Sequence, residues 1–223
     1  MRCNDRPSSP IAIDGPAASG KSTVGEALAK QLGFAFLDTG LMYRAFTLAA
    51  LRIGLSAEDP DACGKFAEEL SLRVIPGTRT RIELGGEDIT ERLRDSEVEA
   101  KVSRYSAIPR VRAAMVSSQR ALAEGAQIIL AGRDIGTVVL PGAPLKLFLT
   151  ASEDARAKRR GEQTGAEDDA QARHDISRRD RVDSTRTVSP LKPAPDAILI
   201  DTTHLSLAEV IDLALEYARC ARS

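Results

Sequence analysis

The chain has 223 residues, 43% of them hydrophobic and 4% aromatic, no tryptophan, and a formal net charge of −1. That length suits one α/β domain with a smaller insert and a mostly aliphatic core, and the near-zero charge argues against a nucleic-acid coat or a membrane-surface protein. Cys3, Cys63 and Cys220 lie far apart with no CxxC pair, which suggests neither zinc nor a disulfide framework and fits a cytoplasmic setting.

The opening residues MRCNDRPSS are polar, so no signal peptide is expected and residues 1–10 read as a loose tail. No apolar run approaches the roughly 18 residues that span a bilayer. Ile11–Ile13 reads as a short buried strand. Lys21–Leu32 reads as a helix, with Val24, Leu28 and Leu32 at four-residue spacing and Gly33 at its end.

Between strand and helix, Gly15-Pro16-Ala17-Ala18-Ser19-Gly20-Lys21-Ser22 satisfies GxxxxGK[ST], and Thr23 follows. Small residues let backbone N–H groups turn inward around phosphate oxygens, and the positive end of the helix adds favourable potential. Lys21 places a charge between the β- and γ-phosphates of a nucleoside triphosphate, and Ser22 offers a hydroxyl to Mg²⁺.

Phe34–Leu37 is predicted as a second strand. Asp38-Thr39-Gly40-Leu41-Met42-Tyr43-Arg44 follows it, delivering Tyr43 and Arg44 into the crevice beside the glycine loop. Met42–Arg52 is predicted helical, as is Lys65–Leu70. Leu72–Ile75 and Arg79–Leu84 form a hairpin around Pro-Gly. Thr90–Ala107 and Val111–Glu124 are predicted helices with Pro109 between them, and residues 60–110 read as an inserted subdomain.

Gln127–Ala131 is a strand that runs into Gly132-Arg133-Asp134. Charged residues there suggest anion binding, because strand ends at the carboxyl edge of such a sheet face the ligand crevice. Leu145–Leu149 is another strand. Ser152 is a candidate N-cap for the arginine-rich helix after it, in which Arg156 and Arg160 share a face. Gly161–Asp169 reads as polar and flexible, Ala170–Arg181 as a polar helix, and about 155–180 as a lid. Ala197–Ile200 is the last strand, and Leu207–Ala218 the last helix, opened by Ser206 with Glu209 three residues on. Five strands separated by helices predict a P-loop-type parallel sheet covered on both faces.

A phosphate loop fits GTPases, motor ATPases and small-molecule kinases alike. A GTPase needs DxxG at a strand end and NKxD, and this chain shows neither in place. A motor ATPase usually ends a strand of four apolar residues in an acidic pair, where this chain has IILAGRD. The remaining readings are a small-molecule kinase, for a nucleotide such as adenylate or thymidylate or for shikimate, and a nucleotide-dependent switch. The switch would use its arginines for RNA or a partner, but no aromatic stacking residues lie near them.

Five blocks in order resemble the bacterial cytidylate kinase family: IDGPAASGKST, LDTGLMYR, IPRVR, AGRDIGTVV and RDRVDSTRTVSPLKPAPDA. They span the chain from Ile11 to about Ala218. The resemblance implies a nucleoside monophosphate kinase fold with a monophosphate-binding insert and a mobile lid, transferring the γ-phosphoryl of ATP to CMP or dCMP. It implies that Arg44 and Arg133 clamp the acceptor phosphate. Thr39, Ser103, Arg112, Asp134 and Arg186 would surround the pyrimidine, and Arg179 and Asp183 would read the sugar. Lys21, Arg133, Arg156 and Arg160 would carry the transfer. A monomer without nucleic-acid or membrane partners is expected.

Overall fold

The computed structural model describes residues 8–164 and 169–220. Most of the predicted loose tail and the middle of the polar segment Gly161–Asp169 lie outside the described residues. The end of that tail does not behave as loose chain. The Ser9 hydroxyl donates to the Ala126 carbonyl at 2.9 Å and accepts from the Ile128 amide at 3.1 Å.

The main sheet is parallel, with strands β1 (Ile11–Asp14), β2 (Ala35–Asp38), β6 (Ile128–Gly132), β7 (Leu145–Thr150) and β8 (Ile198–Asp201) in the order β2-β6-β1-β7-β8. Side chains alternate between two cores, as a two-fold strand repeat requires. Ile11, Ile13, Ile129 and Ala131 face helices α1 (Lys21–Leu32) and α8 (Leu207–Cys220). Ala12, Ile128 and Leu130 face the other way, toward α2 (Thr39–Arg52), α4 (Ser96–Ser106) and α5 (Pro109–Ala123). Burial on both faces is why these strands are short, continuous apolar runs. Helix α3 (Pro60–Glu69) and a small antiparallel sheet of β3 (Leu72–Ile75), β4 (Arg81–Leu84) and β5 (Glu87–Asp88) pack at one edge, where a bridge joins Phe36 to Gly77. Helices α6 (Glu153–Thr164) and α7 (Asp169–Thr185) complete the chain.

Local chemistry explains several departures from the predicted elements. Helix α2 starts at Thr39 rather than Met42, because Asp38 caps it by accepting from the Gly40 amide at 3.0 Å. Helix α3 starts at Pro60 rather than Lys65. Asp59 caps it, and Pro60 fits the first turn, where its missing N–H costs nothing. The single helix predicted over Thr90–Ala107 is two pieces, a 3₁₀ turn at Glu91–Arg94 and then α4. Asp95 between them is extended, with φ −55° and ψ 140°, and its side chain caps nothing, accepting instead from Arg92 Nε at 3.3 Å. A π-turn at Ile135–Val139 was not anticipated at all. The Ser206 and Glu209 capping box forms with reciprocal bonds of 2.8 and 3.3 Å.

Candidate active site

The candidate site lies at the carboxyl ends of β1, β2 and β6, where Asp14 pairs with Gly132 and Asp38 with Ala131 at the ends of neighbouring strands. The glycine loop leaves β1 there. Gly15 has φ +150°, and a Cβ on it would run into the Leu149 carbonyl oxygen. Gly20, at φ 93°, opens α1. Ala18 is held in the left-handed region at φ 56° without being glycine, a strained geometry that turns the loop backbone inward. Lys21 is buried and donates to the Pro16 carbonyl at 2.6 Å and to the Ser19 hydroxyl at 3.3 Å. Burial, reinforced by the positive charge of Arg133, pushes its ammonium well below its ordinary range. Ser22 donates to Asp38 at 2.8 Å, while the Thr23 side chain is exposed. A hydroxyl and a carboxylate side by side are hard oxygen donors suited to Mg²⁺. Among the described residues, no group of three or more His, Cys, Asp or Glu side chains could hold a metal on its own.

Asp14 is a buried carboxylate behind the loop. It accepts from the amides of Ile135 at 2.8 Å and Gly136 at 2.7 Å, so it fixes the turn that follows Arg133 and Asp134. Burial pushes its carboxyl up to about 6 despite those two bonds. Gly132 is equally constrained, since a Cβ there would meet Thr39 Oγ1 at 2.7 Å. The Thr39 hydroxyl already donates to the Ala131 carbonyl at 2.9 Å.

Past that turn lies a buried polar pocket. Asp134 accepts from Arg112 at 2.5 Å and lies 3.7 Å from Arg186. Arg112 lies over the Tyr43 ring at 5.3 Å. Burial pushes the Tyr43 hydroxyl up to about 12, so it stays protonated. Arg133 does not pair with its neighbour Asp134. It donates instead to Asp183 at 2.9 Å, and Asp183 also lies 3.4 Å from Arg186. Buried side-chain atoms without a hydrogen-bond partner include Tyr43 Oη, Arg112 Nε, Arg179 Nε and Arg186 Nη2. Each such group costs about 1–3 kcal/mol. Their concentration among predicted acceptor residues marks a place built for a polar ligand.

Arg44, Arg160 and Arg179 converge on one carboxylate, Glu99 of α4. Arg44 Nε reaches it at 2.9 Å and Arg160 at 2.8 Å, and Arg179 also donates to it. Burial alone would raise this carboxyl, but the guanidiniums of Arg44, Arg179 and Arg160 overcome that and hold it down at about 2. Ser103 lies one turn further along the same helix and is half-buried. Arg156 reaches across from α6 to the Ala17 carbonyl at 3.2 Å and pairs with Asp180, which itself accepts from the Ala17 amide at 3.0 Å. Arg159, by contrast, turns away to Thr202 at 2.7 and 2.9 Å.

The structure thus brings the predicted residues into two adjoining groups, one on the loop and one beyond β6. Sequence reasoning missed Glu99, Asp180, Asp38 and Asp14. Only Asp38 carried a usable signal, a cap residue at the end of a predicted strand.

A family described as "Cytidylate kinase" matches residues 11–220 of the chain. A cytidylate kinase of Mycobacterium avium is 50% identical over 208 residues, covering 91% of each chain. One from Nocardia farcinica is 49% identical over 91% of this chain and 90% of its own. One from Exiguobacterium sibiricum is 46% identical over 95% of this chain and 97% of its own.

Proposed function

The chain belongs to the cytidylate kinase family and is a nucleoside monophosphate kinase, a phosphotransferase; on that premise we propose that it moves the γ-phosphoryl of ATP reversibly to CMP or dCMP. The observation that carries the choice of acceptor is the set of unpartnered buried donors around Asp134. Cytosine offers an amine that a carboxylate can accept from, together with two acceptors that arginines can donate to. Uracil places a carbonyl where the amine stood, and that carbonyl would face Asp134 unpaired.

In this reading the amides of Gly15–Thr23 orient the triphosphate, and Lys21 sits against its β- and γ-phosphates. Arg44 and Arg133 hold the acceptor phosphate through planar, bidentate contacts. Thr39, Tyr43, Ser103, Arg112, Asp134 and Arg186 line the base, and Arg179 and Asp183 the sugar. Ser22, with Asp38 behind it, would hold Mg²⁺, which when bound supplies neutralising charge to the triphosphate. The acceptor oxygen is already anionic, so no strong base is needed and positioning suffices. Arg156 and Arg160, on a lid over about 155–180, bring charge to the transferring group and exclude water. Residues 60–110 form the monophosphate-binding insert. We place the protein in the cytoplasm as a monomer. Among the described residues, no helix is long and apolar enough to cross a membrane.

The test is ADP release from Mg-ATP with CMP, dCMP, UMP, AMP or shikimate offered separately. Strong stimulation by CMP and dCMP, with a weak response to UMP, is expected. Stimulation by AMP or shikimate instead would move the chain to another acceptor. Slow release indifferent to every acceptor would favour a switch protein.

A further inference from the structure

Glu99 has no place in the transfer as described, yet it sits where three cationic side chains meet. Arg44 comes from α2, Arg160 from α6 and Arg179 from α7, while Glu99 stands on α4. The cluster is sheltered, with Glu99 exposed by 14% and Arg179 by 12%. Three guanidiniums this close repel one another strongly in a site that water reaches poorly. A carboxylate among them lowers that cost and, because it can accept several bonds at once, fixes where each guanidinium points.

Arg44 uses its Nε, and Arg160 and Arg179 each use one terminal nitrogen toward the carboxylate. Arg179 also donates to the Glu99 backbone carbonyl at 3.1 Å, and its Nε remains buried without a hydrogen-bond partner. Three guanidiniums around one carboxylate leave the cluster with a positive balance, which suits anionic substrates.

Resting on the reading above, we propose that Glu99 is a positioning residue: it gathers Arg44, Arg160 and Arg179, offsets their mutual repulsion and orients Arg44 toward the acceptor phosphate, Arg160 toward the transferring group and Arg179 toward the sugar. Its carboxylate binds no substrate. Removing the charge while keeping the shape should leave the arginines more avid for any small anion and worse aligned for transfer.

The test compares wild type, Glu99→Gln and Glu99→Asp in CMP-dependent turnover, in inhibition by inorganic phosphate, and in phosphate-dependent thermal shift. For Glu99→Gln, kcat should fall about tenfold or more, the KM for CMP should not rise, and the KM for ATP should not change. Phosphate should inhibit several-fold more strongly and raise the melting temperature at lower concentration. Glu99→Asp keeps the charge but shortens the reach. It should show phosphate sensitivity at the wild-type level with a reduced kcat, and this prediction stands even if the glutamine variant does not fold. Wild-type kinetics in either variant would overturn the proposal, as would a fall in kcat with an unchanged phosphate response in Glu99→Gln. If the wild type ignores CMP while Glu99→Gln still gains phosphate affinity, the acceptor reading fails and the arginine-gathering role survives.

Discussion

The glycine loop and the arginine cluster sit at the same end of the sheet and are built in opposite ways. The loop is contiguous chain that presents backbone, and its shape is set by conformations few residues tolerate, as at Gly15, Ala18 and Gly20. The cluster is side chains from α2, α4, α6 and α7, each held by a carboxylate partner. Backbone amides fixed by a turn need no counter-charge and cannot move far. Guanidiniums on separate elements need a partner to sit close together, and they can rearrange when those elements move. One region is therefore sensitive to shape, and the other to charge.

Substitutions that remove charge or add bulk in the loop, and that remove charge at constant shape on the acceptor side, test that division. The largest effect is expected from the one charged side chain buried in the loop itself. Lys21→Ala should lower kcat about a thousandfold, the size of effect seen when a positioned donor to developing charge is removed. An unchanged rate with CMP would take Lys21 out of the chemistry. Gly15→Ala adds no charge and one methyl group, yet that methyl would collide with the Leu149 carbonyl. A penalty of about 3 kcal/mol is expected, since the neighbour is backbone and cannot step aside. It should appear as about a hundredfold loss in kcat/KM for ATP, with a lower melting temperature. A silent Gly15→Ala would show that the loop is not shape-limited.

On the acceptor side the expected effect is smaller and concerns selectivity. Replacing Asp134 by alanine would strip Arg112 of its buried partner and cost about 3–5 kcal/mol of stability, confusing the result. Asp134→Asn keeps the shape. Its carboxamide can face either a cytosine amine or a uracil carbonyl, so the preference for CMP over UMP should shrink about tenfold. An unchanged ratio of specificity constants would remove Asp134 from base reading.

The same division explains what the sequence disclosed. The loop was legible because its motif is local and its strand and helix neighbours are periodic. Arg44, Arg133, Asp134 and Arg179 are proposed as site residues from blocks of family likeness, and the structure sets each of them in an ion pair. The carboxylates Glu99 and Asp180 were not legible. Glu99 lies in SEVEAKV, where alternating charges read as a solvated helix face, and its partners are 55, 61 and 80 residues away. Asp180 is enclosed by arginines in RRDR and reads as one more surface charge, although it accepts from the loop amide of Ala17. The break at Asp95 carries no sequence signal, because helix propensity on either side is good and the run is divided only by the backbone of Asp95 at φ −55° and ψ 140°.

The smallest expected effect is in pH dependence, and it sets the two regions against each other through one carboxylate apiece. Asp14, behind the loop, has amides but little cationic help, and burial raises it from 3.8 to about 6. A carboxyl raised on folding holds its proton longer in the folded state, so its contribution is fully present below about pH 4 and is lost as pH rises through 6. By neutral pH its ionisation costs about 3 kcal/mol. Glu99 in the arginine cluster is lowered from 4.5 to about 2. Its contribution has the opposite sign, being present above pH 4.5 and lost as pH falls toward 2. Going from pH 7 to pH 5 should therefore add about 1 kcal/mol of stability through Asp14 while leaving the Glu99 contribution intact. Below pH 4.5 the cluster gives way. Thermal unfolding followed across this range should show a gain toward pH 5 in wild type that Asp14→Asn lacks, and an acid loss that Glu99→Gln softens. Parallel curves for wild type and both variants would mean that neither carboxylate is linked to folding, and the charge-sensitive character of the cluster would have to lie in its arginines alone.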